Sequence, residues 1–160
     1  MELKFAEYEY TRPNYEAYKA EATEAIEQLK NAEEADTAVA AVMIMNHLLN
    51  ETDKQGQLAF IRHSINTKDA FYQEEQAYWD EYIPLYTEIN TLYYQALLET
   101  PYRMELEQVL AKQYFKMAEY KLKSFSPEVI ELLQKENELA SSYDKLIASA
   151  QITFDGKTLN

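Results

Sequence analysis

Glycine occurs only twice in these 160 residues, at positions 56 and 156, and proline four times, at 13, 84, 101 and 127. Tight turns need residues that tolerate positive φ or a fixed φ, so sheet-rich folds use both types freely. A chain this poor in them must run in long helices with few turns. The same scarcity removes any glycine-rich phosphate loop, since two glycines 100 positions apart cannot build one.

The hydrophobic pattern agrees. After a short extended arm over residues 1–12 (Leu3, Phe5, Tyr8, Tyr10), Tyr15, Tyr18, Ala22, Ala25, Ile26 and Leu29 recur at helical spacing, so a helix begins near Pro13. "NAEEAD" at 31–36 is a polar break. Val39, Val42, Met43, Met45, Leu48 and Leu49 then mark a central helix. The pattern resumes at Leu58, Ile61 and Ile65, which predicts one helix over about 36–65 in preference to two meeting near Gly56. "NTKD" at 66–69 supplies a turn and a cap for a helix over about 70–98, some 40 Å long at ~1.5 Å per residue, kinked by Pro84. Thr100-Pro101 and Ser126-Pro127 each read as an N-cap followed by a first helical residue. Leu106, Val109, Leu110, Met117, Leu122 and Phe125 mark one apolar face. Val129, Leu132, Leu133, Leu139, Ala140, Tyr143, Leu146, Ile147 and Ala150 mark the last, interrupted by Glu136 and Asn137. "QITFDGKTLN" changes period, and Asp155-Gly156 signals a hairpin turn. The expected fold is all-α: about five long helices over 1–150, with a short C-terminal β-hairpin beginning at 151–160, where the chain is expected to be truncated.

The stretch "IRHSINTKDAFYQEEQAYWDEYIP" (61–84) gathers His63, Arg62, five carboxylates and five aromatics. Metal chemistry does not follow from it. A zinc peptidase helix needs two histidines four apart with a glutamate beside the first; His47 precedes Leu48, His63 precedes Ser64, and neither has a histidine four residues on. Dimetal bundles need Glu-x-x-His, but Ile44 and Phe60 stand three residues before the histidines. His63 is expected at a core rim, bonded to a carboxylate, with Arg62 paired to an acid of the next helix. Phe71, Tyr78, Tyr82, Ile89 and Tyr93 form one row and Tyr72, Trp79, Ile83 and Tyr86 another, which predicts a helix buried on two sides; a substrate wall lined by tyrosine hydroxyls is the other reading. No catalytic, cofactor-binding or metal-binding residue is assigned.

A formal net charge of −13 argues against nucleic-acid binding and against anionic membrane surfaces. With no cysteine, disulfides and thiolate metal sites are excluded, and a cytoplasmic setting fits. The N-terminus lacks the apolar core of a signal peptide, and the longest apolar run, Ala38 to Met45, is too short to span a bilayer.

Four segments, "YEYTRPNYEAYKAE", "IRHSINTKDAFYQEEQAYWDE", "YYQALLETPYR" and "LKSFSPEVIELLQKENELASSYDKLIASAQITFDGKTLN", resemble in sequence and order the N-terminal helical region of the oligoendopeptidase F group, zinc metallopeptidases of the M3 family. The resemblance implies a parent enzyme that hydrolyses short peptides in a deep channel, with zinc on a downstream His-Glu-x-x-His helix. None of that motif lies here, so the chain alone is expected to be inactive, without a cofactor, and to self-associate through surface meant for the rest of the enzyme. The rival expectation is a free-standing helical module that binds a peptide or protein without catalysis.

Overall fold

The computed structural model describes residues 4–159; Leu3 of the arm and Asn160 lie outside them. Five helices follow one another: α1 (Tyr15–Lys30), α2 (Ala35–Ile65), α3 (Ala70–Glu99), α4 (Arg103–Ser124) and α5 (Ile130–Ala148). A two-stranded antiparallel hairpin, β1 (Ile152–Phe154) and β2 (Lys157–Leu159), ends the described chain. The all-α bundle with its terminal hairpin is the expected architecture. Asp155 and Gly156 both take positive φ (49° and 72°), as a two-residue turn between right-twisted strands requires.

Local chemistry explains most boundaries. Asn14 caps α1 by accepting from the Ala17 amide at 2.9 Å. Asp69 caps α3, its Oδ1 accepting from Phe71 and Tyr72. α2 runs unbroken through Gly56, where α3 supplies a wall: a Cβ there would lie 3.5 Å from the Trp79 ring, in ordinary contact.

Other boundaries differ from the expectation. The arm is not wholly extended, because Phe5–Glu7 form a single 3₁₀ turn. Thr100 does not cap α4; that helix starts at Arg103, and the Thr100 hydroxyl accepts only a long 3.4 Å bond from Tyr102. Ser126-Pro127 opens a 3₁₀ turn, Pro127–Val129, rather than α5 itself, and Ser126 makes no side-chain cap. Within α4, Ala111 sits at φ 63°, ψ 153°, a region that only glycine occupies without cost, and the helix kinks there.

The core lies where α1, α2, α3 and α4 meet. Tyr18, Leu29, Val42, Met45, Tyr93, Leu97, Leu106 and Phe115 are buried in it, with small Ala22, Ala38, Ala41 and Ala96 letting the helices close up. Val109 and Met117, assigned to the apolar face of α4, are instead about half exposed. The kink at Ala111 separates the two halves of that face. Phe71 and Ile83 of the paired aromatic rows are also half exposed, whereas Trp79, Tyr86, Ile89 and Tyr93 are buried.

Pro84 is buried inside α3, and the helix continues through it. Proline has no N–H to return to the carbonyl of Asp80, four residues back. That carbonyl accepts from Asn137 Nδ2 of α5 at 3.1 Å, and the next one, Glu81, accepts from Gln134 Nε2 at 2.8 Å. The polar interruption in the α5 pattern is thereby explained: Asn137 satisfies a backbone group that the proline leaves free. Glu136 faces solvent. Because α5 turns these amides toward α3, its apolar row points outward. Leu132, Leu139, Tyr143, Leu146 and Ile147 are 59–71% exposed, and no residue of α5 is buried.

Candidate functional site

Three arrangements concentrate polar groups. The first is a clamp that holds the N-terminal arm on α3. Glu75 is buried, 3% exposed, and accepts from Tyr10 Oη at 2.5 Å and from Arg12 Nε and Nη2 at 2.8–3.2 Å. Trp79 Nε1 donates to the Tyr10 hydroxyl at 3.2 Å. Arg12 also reaches Glu74 and lies over the Tyr78 ring. Burial pushes the Glu75 carboxyl up, but the bonds from Arg12 and Tyr10 outweigh it and hold the group below its ordinary value. Burial and the Glu75 bond push the Tyr10 phenol up. With its acceptors met by phenol and guanidinium, Glu75 is a structural anchor, not a free acid.

Arg62 does not pair with an acid of α3. Its Nη1 donates to the Tyr72 hydroxyl at 2.8 Å and its Nη2 to the Tyr8 carbonyl. The acid-pairing role falls to Arg12, further back in the sequence. Thr11 N adds a bond to Gln55 Oε1 of α2, so the arm is tied to both long helices.

The second arrangement surrounds His63. It is buried, where a place at a helix boundary or core rim was expected, and makes no bond to a carboxylate; its Nδ1 has no hydrogen-bond partner among the described residues. Burial, helped by Lys145, lowers its pKa, against the opposing fields of Asp80 and Asp144. His47 is exposed on the far half of α2, so the two histidines are not brought together. Among the described residues no group of three or more His, Cys, Asp or Glu is placed to hold a metal ion.

The third is a cleft of about 720 Å³ between α2, α3 and α4. Asn46, Asn50, Asp53 and Gln57 line it from one face of α2, and Trp79, Tyr86, Asn90 and Tyr94 from one face of α3. Tyr114 and Met117 close it from α4. Tyrosines orient two of its amides: Tyr114 Oη donates to Asn46 Oδ1 at 2.9 Å, and Tyr18 Oη to Asn90 Oδ1 at 2.5 Å. Each bond occupies an amide oxygen and leaves the NH₂ as the remaining donor. Burial pushes the Tyr94 phenol up to about 12, so it stays neutral. Gln76, buried in the wall, donates to Asp80 at 2.8 Å, and its Oε1 has no donor among the described residues. Periodicity placed Trp79 and Tyr86 in one row, but α4 had to fold back before the row became a wall.

Residues 5–125 match the peptidase M3 N-terminal domain family. The match covers α1 to α4 and stops before α5. Among solved structures, PZ peptidase A with inhibitor 2 is 41% identical, with a TM-score of 0.92 over 98% of this chain and 28% of its own. A candidate oligoendopeptidase F is 42% identical, with a TM-score of 0.92 over 99% of this chain and 28% of its own. Another, from Bacillus anthracis str. Ames, is 43% identical, with a TM-score of 0.90 over 96% of this chain and 28% of its own. The chain thus spans about 28% of the length of these structures. No curated protein matches it.

Proposed function

The chain belongs to the M3 peptidase family through its N-terminal domain, and from that premise we propose that it is the helical wall of a substrate channel in a zinc-dependent oligopeptidase. The observation that carries this reading is the match over 5–125 together with superposition on about 28% of each of three longer chains, PZ peptidase A and two candidate oligoendopeptidases F. In such an enzyme a zinc ion, held by residues outside this chain, would supply Lewis-acid activation of water and of the scissile carbonyl. The residues present here would bound and orient the peptide. Alone, the chain is inactive. The outward row on α5 is the surface that the catalytic part covers, and in its absence copies of the chain associate through it. Among the described residues no helix is long and apolar enough to cross a membrane. A cytoplasmic setting fits the absence of cysteine.

The test is complementation. The 160-residue chain is co-expressed with an M3 peptidase from which the corresponding N-terminal part has been removed. Zinc-dependent hydrolysis of a short fluorogenic peptide should return only when both pieces are present. No recovery, with both pieces folded, overturns the reading. Light scattering on the isolated chain should show dimers or larger species; a clean monomer at high concentration counts against the covered-row assignment.

A further inference from the structure

We propose that His63 makes the docking of α5 proton-sensitive: a proton taken up by its ring releases α5 from α3, while α1 to α4 stay folded together. Every group in the device belongs to this chain.

Helix α5 is held by few ties. None of its residues is buried, and its apolar row faces away from the bundle. Its two side-chain bonds to α3 are neutral, from Gln134 Nε2 to the Glu81 carbonyl and from Asn137 Nδ2 to the Asp80 carbonyl. Water can replace either partner, so each such bond adds little net stability. The buried residues of the core come from α1, α2, α3 and α4 alone. Helix α5 can therefore leave without opening that core.

His63 stands where α2 meets this junction. It is 6% exposed, and its Nδ1 bonds to no described residue. Charged groups bear on it from both facing helices: Asp80 of α3, and Lys145 and Asp144 of α5. A neutral ring can leave Nδ1 as a bare acceptor. A protonated ring has two N–H donors and a full charge, which must be bonded or hydrated. One oxygen of Asp80, Oδ1, is already taken by Gln76 Nε2 at 2.8 Å. Asp144 is exposed, and half-buried Lys145 beside it carries the same charge as the protonated ring. Burial, then Lys145, oppose the charged ring and outweigh the attraction of Asp80 and Asp144. Moving α5 aside takes Lys145 away and admits water to the ring. The proton and the docked helix thus exclude each other.

The sign with pH follows. The docked ring binds its proton less readily than a free one, whose ordinary value is 6.5. Docking keeps its full stability above that value and loses it as pH falls from there through the folded value.

Amide exchange on the full chain, corrected for the intrinsic rate at each pH, is the test. Between about pH 7.5 and about pH 5.5 the opening of α5 should rise several-fold, with about tenfold the ceiling for a group of ordinary value 6.5, while α1 and α2 keep their protection. His63→Gln should hold α5 protection level across the same window. Lys145→Gln should shrink the response, because the opposing charge is gone, and it serves where His63→Gln does not fold. The response should be equal at two protein concentrations. Level α5 protection in the parent chain overturns the proposal, as does a rise shared by all five helices or an undiminished response in either variant. A response seen only at the higher concentration, where copies associate, overturns it as well.

Discussion

The two sides of α3 are held to their neighbours by different means. On the arm side, one buried carboxylate collects a phenol and a guanidinium, and the aromatic rings of Tyr10, Tyr15, Tyr18, Tyr78, Tyr82 and Tyr86 pack edge-on or stacked around the junction. On the α5 side, two neutral amides bond to backbone carbonyls and the apolar row of the docked helix faces away. Charge-assisted bonds to a desolvated group are stronger than neutral ones and costlier to break. The first side buries the groups that hold it together. The second leaves Leu132, Leu139, Tyr143, Leu146 and Ile147 exposed.

The comparison can be broken first at the clamp. Arg12→Ala leaves Glu75 buried without its cation, and it should cost about 3 kcal/mol in denaturant unfolding at neutral pH. The sign with pH is fixed. Because the folded Glu75 pKa is depressed, the pair contributes its stability above the ordinary carboxylate value of 4.5 and loses it as pH falls through the folded value. The gap between variant and parent should therefore shrink in acid; a constant gap would show that Arg12 acts by packing alone.

On the other side, Asn137→Ala removes the donor to the Asp80 carbonyl and should cost about 1–2 kcal/mol, felt as faster amide exchange in α5 while α1 and α2 keep their protection. If exchange rises equally everywhere, the two sides are one cooperative unit. At the α4 kink, Ala111→Gly should raise stability by about 1 kcal/mol, since glycine takes φ 63° without strain and offsets its own entropy cost. A loss of stability there would mean that the kink is absent in solution.

The smallest expected effect is at His63, buried on α2 within the fields of Asp80, Asp144 and Lys145. Its pKa is depressed in the folded state, so the contribution of the neutral ring is fully present above the ordinary value of 6.5 and is lost as pH falls through the folded value. His63→Gln should flatten the pH dependence of stability over that window. An unchanged slope would assign the dependence to the carboxylates instead.

Much of this was legible in the residues. Scarce glycine and a 3.6-residue period gave five helices, including the unbroken α2, and the NTKD stretch announced a cap for α3 that Thr67 or Asp69 could supply; Asp69 supplies it. What escaped was azimuth and partnership. Periodicity tells which residues of α5 share a face but not which face meets α3, and the more apolar face was the natural guess. The bond from Asn137 to the Asp80 carbonyl spans 57 positions and joins a side chain to a backbone atom, so no local pattern carries it. Arg62 and Arg12 could each have reached an acid, and only the path of the arm decides between them. The cleft was visible as a row of aromatics, but its amides come from a second helix and its closing tyrosine from a third.

Pro84 has a consequence for registry. Gln134 and Asn137 stand three residues apart, and the two carbonyls they meet, Glu81 and Asp80, are neighbours on one turn of α3. A slide of α5 by a single turn would carry Asn137 past the one carbonyl that the proline leaves without its helical donor. The proline thus acts as an index mark on a long, otherwise uniform rod. It sets where α5 stops along α3 as well as that it stops.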